Sequence, residues 1–153
     1  MNLAVELTTI TKELLEFLGI DTSSLEVSET EKNTYKIQIE SDDAPLLIGK
    51  HGDTLMALQH LVKAMVKKKN DDEIILIMDV GNYREQYESK ILLMAKQKAE
   101  KVMQEDVRET LFPMNSYHRR VVHTYIVSEF PGIETDSIGE EPNRRITLKK
   151  KGV

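Results

Sequence analysis

The stretch Leu47-Ile48-Gly49-Lys50-His51-Gly52-Asp53-Thr54-Leu55 sets the reading of the whole chain. Two glycines three residues apart follow an apolar pair and precede a helix signal, so the bend between them has no side chain at either corner. A sugar-phosphate backbone can therefore come close to the N–H groups at a helix start, where unpaired amides and the helix dipole favour an anion. Between the glycines, Lys50 adds a positive charge and His51 an imidazole that can donate to a phosphate. Bases held there are expected over an apolar groove between the following helix and a sheet edge, with Ile48 and Leu55 as its floor and Lys63 at its rim. The competing reading is a tight turn that merely leads into a helix capped by Asp53.

On either side of this bend the apolar period outlines an α+β layer. Leu3, Leu7, Ile10, Leu14, Leu15 and Leu18 recur at three- and four-residue spacing, an amphipathic helix closed by Gly19. Leu25 and Val27, then Tyr35, Ile37 and Ile39, alternate with polar neighbours, which predicts two half-buried strands around a turn at residues 29–33. After a short element over residues 42–47 and the glycine bend, Leu55, Leu58, Leu61, Val62 and Met65 give the next helix an apolar side. The unbroken run Ile74-Ile75-Leu76-Ile77-Met78, within residues 73–80, predicts a strand covered on both faces. From Tyr83 the period is helical again, through Tyr87, Ile91, Met94, Ala95, Ala99, Val102 and Met103, to about residue 105. A strand at residues 107–112, a turn at Pro113, a helix at residues 117–130 capped by Asn115 or Ser116, and strands at residues 133–138 and 145–149 complete the pattern. The expected division is into two small domains, residues 1–80 and 81–153.

Tyr117-His118-Arg119-Arg120-Val121-Val122-His123 is the second motif. Arg119 and His123 are one helical turn apart and share a face, so a guanidinium that can bridge two phosphate oxygens stands beside an imidazole that can donate to phosphate or stack on a base. Tyr117, just ahead of them, can present its ring to a base. A purely structural reading stands next to this one: His123 hydrogen-bonded to a neighbouring strand, and Arg119 paired with a carboxylate such as Glu129 or Glu141. Arg144 and Arg145 point to opposite sides of a strand, so at most one of them faces the same groove.

The net charge of −5 (21 basic, 26 acidic residues) argues against indiscriminate coating of a polyanion, but its distribution is uneven. Residues 1–43 carry three basic and ten acidic side chains, residues 44–81 five of each, and residues 82–153 thirteen basic and eleven acidic. Both motifs therefore lie in the neutral-to-basic part, and local patches decide nucleic-acid affinity. Hydrophobic content of 40% against only 5% aromatic means an aliphatic core. The absence of cysteine excludes a disulfide scaffold or a thiolate metal site, and a cytoplasmic location is the expectation. Glu6, Lys12, Glu13 and Glu16 interrupt any secretory leader, and no window reaches the ~18 apolar residues of a membrane span. No nucleotide-triphosphate loop and no two-metal carboxylate cluster is present, so no cofactor, metal or catalytic residue is expected. Two minor alternatives are a metal-free ribonuclease using His51, His118 or His123, and a protein-interaction adaptor with a vestigial glycine loop.

Residues 44–80, with Ile48-Gly49-Lys50-His51-Gly52 as a Gly-x-x-Gly loop, resemble a type II KH domain, and residues 82–150 resemble the domain named for an Arg-x-x-x-His spacing. In that order, with Asp79-Val80-Gly81-Asn82-Tyr83-Arg84 at the junction, Met114-Asn115-Ser116-Tyr117-His118-Arg119-Arg120-Val121-Val122-His123, and Glu140-Glu141-Pro142-Asn143-Arg144-Arg145, the chain is similar to the bacterial Jag proteins, also called SpoIIIJ-associated or KhpB-like. The resemblance implies two small α+β domains and non-catalytic binding of single-stranded RNA, with single-stranded DNA as a second ligand class. It also implies a small stand-alone KH protein as partner and a role as post-transcriptional regulator or RNA chaperone. Residues and resemblance together nominate Ile48, Gly49, Lys50, His51, Gly52, Leu55, Tyr117, Arg119, Arg120, His123, Arg144 and Arg145 as RNA contacts. The additional N-terminal domain and linker of many Jag proteins are expected to be missing here.

Overall fold

Asn2 starts the first helix by accepting the Ala4 N–H on its side chain at 3.0 Å, and α1 then runs Leu3–Phe17. In the computed structural model, residues 2–68 and 73–152 are described. They form two units, the first ending at Arg84 and the second beginning at Glu85. The first unit continues with β1 (Ser24–Glu31), β2 (Thr34–Glu40), α2 (Ala44–Ile48), a single 3-10 turn (Lys50–Gly52), α3 (Asp53–Lys67) and β3 (Ile75–Val80). Strand β2 is central, antiparallel to β1 and parallel to β3, with Ile37 opposite both Val27 and Met78. The inward residues of β2 and β3 (Tyr35, Ile37, Ile39, Leu76, Met78, Val80) meet Leu7, Ile10 and Leu15 of α1 and Leu55, Leu58, Val62 and Val66 of α3 in one core. Each such aliphatic side chain contributes about 1.5–3 kcal/mol by leaving water.

Strand β3 departs from the sequence expectation. It is an edge strand, and Ile75 (59% exposed) and Ile77 (39%) stand out on the sheet face away from the core. An apolar run reads the same whether a sheet is covered on one face or two, which is why the pattern overstated the cover. None of the described helices is long and apolar enough to cross a membrane.

In the second unit, α4 (Tyr83–Glu105, its first two residues belonging to the first unit) and α5 (Ser116–Glu129) accompany an antiparallel sheet of β4 (Glu109–Thr110), β6 (Arg145–Lys150) and β5 (Ile133–Ile138), in that spatial order. Ile91, Ala95, Ala99 and Val102 form the buried stripe of α4 and pack with Leu111, Val122, Ile126, Ile133, Ile146 and Leu148. Of the two candidate caps for α5, Asn115 fills the position, its side chain accepting the His118 N–H at 3.0 Å.

Strand β4 is shorter than predicted and is tied to α4 by charge. Lys101 Nζ lies 2.7 Å and Lys98 Nζ 2.6 Å from the Glu109 carboxylate. Hydrogen bonds from Lys101 and then Lys98 hold that carboxyl at about 2, below its ordinary 4.5. A carboxyl depressed in the folded state stabilises the fold above its unfolded pKa, and that contribution disappears as pH falls through the folded value. The thermal midpoint of Glu109→Gln should therefore lie below that of the unaltered chain near pH ~6, with the gap closing toward pH ~2. A gap independent of pH would refute this role for Glu109.

Candidate nucleic-acid interface

The glycine bend is built by backbone angles that few residues can adopt. Helix α2 ends at Gly49, whose N–H donates to the Pro45 carbonyl at 3.0 Å, with φ 70° and ψ −168°. That region is essentially restricted to glycine. His51 (φ 54°, ψ 22°) and Gly52 (φ 85°, ψ 10°) follow in the left-handed region, so three of the four loop residues turn against the usual hand. Asp53 does not cap α3. The N-cap is Gly52, which offers no side chain, and Asp53 lies in the first helical turn, its N–H donating to the Lys50 carbonyl. The leading end of α3 thus carries its partial positive charge at the bend without a capping side chain over it.

Both glycines are expected to open the bend to a phosphate; on the side where a side chain would stand, the protein's own atoms fill the space. A Cβ on residue 49 would lie 2.1 Å from Thr54 Oγ1 and 3.0 Å from the Thr54 nitrogen; one on residue 52 would lie 3.0 Å from Tyr83 Cε1. Gly52 is buried against Tyr83 and shapes the bend. Lys50 is exposed, and Ile48, Gly49 and His51 are partly exposed beside it. Leu55 is also corrected: at 1% exposure it belongs to the core and cannot floor a groove.

The helix-to-edge groove is narrower than expected. Gln59 Oε1 accepts both the Met78 N–H at 2.9 Å and Arg84 Nη2 at 2.8 Å, while Arg84 Nε donates to the Met78 carbonyl at 2.8 Å. The outward N–H and C=O of Met78 on the free side of β3 are therefore already used. Asp79 Oδ1 accepts the N–H groups of Val80 and Arg84, fixing the start of α4 to the same unit. The groove remains open farther along, as a cleft of about 300 Å³ lined by Lys32, Asn33, Lys63, Glu73, Ile74 and Ile75. Thr54, Gln59 and Tyr83 were not nominated from the sequence. Only the Asp79-Val80-Gly81-Asn82-Tyr83-Arg84 junction hinted at Tyr83.

In the second unit the contacts of the Arg/His pair follow the structural reading. Arg119 is buried; Nη1 donates to the Met114 carbonyl at 2.6 Å, and Nη2 is 2.6 Å from Glu141 Oε1. Its guanidinium is spent on the protein, contrary to the expected phosphate fork. His123 Nδ1 bonds Thr135 Oγ1 on β5, as in the structural alternative, although its residue is exposed. Arg145 is half-buried and donates to the Asn143 carbonyl at 3.1 Å, whereas Arg144 is exposed, its Nε donating to Ser137 Oγ at 2.9 Å. Tyr117 and Arg120 are both exposed on α5.

Residues 7–78 match the family described as the KhpA/KhpB KH domain, and residues 89–150 match the R-3-H domain. A protein of Clostridium symbiosum named RNA-binding protein KhpB is 38% identical over 128 residues, which cover 84% of this chain and 57% of that one. Proteins of the same name from Bacillus subtilis and Streptococcus pneumoniae are 30% identical over 131 residues (84% of this chain, 62% of theirs) and 25% identical over 144 residues (91% and 44%). The chain thus spans about half the length of these relatives. A KH domain followed by an R-3-H domain, with this kinship across both, places the chain in the KhpB/Jag-like family.

Proposed function

We propose that the chain binds single-stranded RNA without transforming it, holding the sugar-phosphate backbone at residues 48–51, and that it acts in the cytoplasm as a post-transcriptional regulator or RNA chaperone. The observation that carries this reading is the bend itself: a left-handed turn that sets exposed Lys50 at the positive end of the 15-residue helix α3. Such a corner binds one phosphate with a charge-assisted contact and needs no base identity to do so. Exposed Arg144 adds a further cation in the second unit. The relatives' name, RNA-binding protein KhpB, agrees with this reading.

Replacing Lys50 and His51 together by Asp tests it. Asp tolerates the left-handed conformation of residue 51, so the fold should persist while two carboxylates face the phosphate. Filter binding of a short unstructured RNA should weaken by more than about tenfold, with the thermal midpoint little changed. Unchanged affinity would remove the bend from the binding surface.

A further inference from the structure

The outward stripe of α5 carries a feature that the Arg-x-x-x-His spacing does not describe. Residues 117, 120, 121, 124, 125 and 128 fall at helical three- and four-residue spacing and, with Leu92 of α4, line an open trough of about 500 Å³. Its walls are mainly apolar, from Leu92, Val121 and the Tyr125 ring, and Arg120 stands among them. Among the described residues Arg120 makes no hydrogen bond or ion pair, in contrast to Arg119 one position earlier. Tyr117 is 56% exposed, its ring held upright by donation from its hydroxyl to Glu88 Oε2 at 3.2 Å and by edge-on contact with the His118 ring at 5.2 Å.

We infer that this trough is a second RNA contact, taking one unpaired nucleotide: the base against Tyr117 and the apolar wall, the phosphate on Arg120. The inference rests on the RNA-binding reading above and gives it a location in the second unit. Three features favour a nucleotide. The volume is that of a small-ligand site. An aromatic ring next to an unpaired guanidinium is the combination that stacks a base and neutralises its phosphate, whatever the base. The carboxylates nearby, Glu129 in the lining and Glu88 on the Tyr117 hydroxyl, leave Arg120 as the position for the phosphate.

The test uses the full chain and a fluorescein-labelled octamer of uridines, with affinity measured across salt concentrations. Tyr117→Leu should weaken binding about tenfold, the loss of one stacked base, and leave the salt slope unchanged. Arg120→Gln should weaken binding several-fold and reduce the slope of log affinity against log salt by about 0.7, the loss of one phosphate contact on a single strand. Tyr117→Phe, which keeps the ring and loses the hydroxyl's bond to Glu88, should bind within about twofold of the unaltered chain; if the leucine variant fails to fold, Arg120→Gln, at an exposed position, decides the matter. Wild-type affinity and slope in Arg120→Gln, with the Lys50→Asp, His51→Asp double variant still impaired, would overturn the trough while sparing the RNA-binding reading. No binding of the octamer by the unaltered chain would overturn the RNA-binding reading itself.

Discussion

Gly49→Ala should nearly abolish RNA binding and destabilise the first unit, the largest effect expected from any one-carbon change in the chain. Two independent costs fall on the added methyl. The backbone at φ 70°, ψ −168° is a region that side chains scarcely enter, and holding alanine there costs about 1–3 kcal/mol. The methyl would also arrive 2.1 Å from Thr54 Oγ1, 2.7 Å from Thr54 Cβ and 3.0 Å from the Thr54 nitrogen. Rotating the Thr54 hydroxyl away relieves only the first of these contacts, so α3 or the bend has to move. Either movement displaces Lys50 from the helix end. We expect more than about 2 kcal/mol of lost stability and, in filter binding of a short RNA, a loss of more than about tenfold. Thr54→Ala should not rescue the variant, because Thr54 Cβ and the backbone remain. Near-normal binding by Gly49→Ala would mean that the bend is soft and that its geometry is not what grips the ligand.

Arg119→Met should act mainly on stability. The substitution removes a buried donor from the Met114 carbonyl and the partner of Glu141. Glu141 is 58% exposed, so solvent screens its share of the pair. The bond to the Met114 carbonyl is the larger part, and a bond from a charged donor in a buried setting is worth roughly 1.5–3 kcal/mol. For a unit of this size the thermal midpoint should fall by about 10 °C. Arg119→Lys should recover only part of the loss, since an ammonium cannot serve both acceptors with a planar fork. Measured well below its midpoint, Arg119→Met should bind a short RNA almost as well as the unaltered chain. A large loss of affinity without a loss of stability would return Arg119 to the binding surface.

The contrast between Arg119 and Arg120 shows where sequence reading stops. Helical spacing states correctly that Arg119 and His123 share a face, but spacing has no origin. Only the phase set by buried His118, Val122 and Ile126 shows that Arg119 lies on the inward side and Arg120 on the outward one. The same ambiguity affected α3, where Leu55, Leu58, Val62 and Val66 face the sheet while Leu61 and Met65, grouped with them by sequence, are exposed. Element types were legible because each carries its own period: the α1 stripe, the β1 and β2 alternation, and the long helical run after Tyr83 all appear where the pattern put them. The contacts that shape the bend were not legible. Thr54 against Gly49 is a local packing detail, and Tyr83 against Gly52 joins residues 31 positions apart in sequence. A glycine signals that a side chain is missing, not what fills the space.

The most direct measurement is a titration of the isotope-labelled full chain with a uridine tetranucleotide, following backbone amide resonances. The bend as phosphate clamp predicts that the largest saturable shifts fall on residues 49–51 and the first turn of α3, and that they diminish as salt is raised. Saturable binding that leaves those amides unmoved would contradict the assignment of the bend as the place where RNA is held.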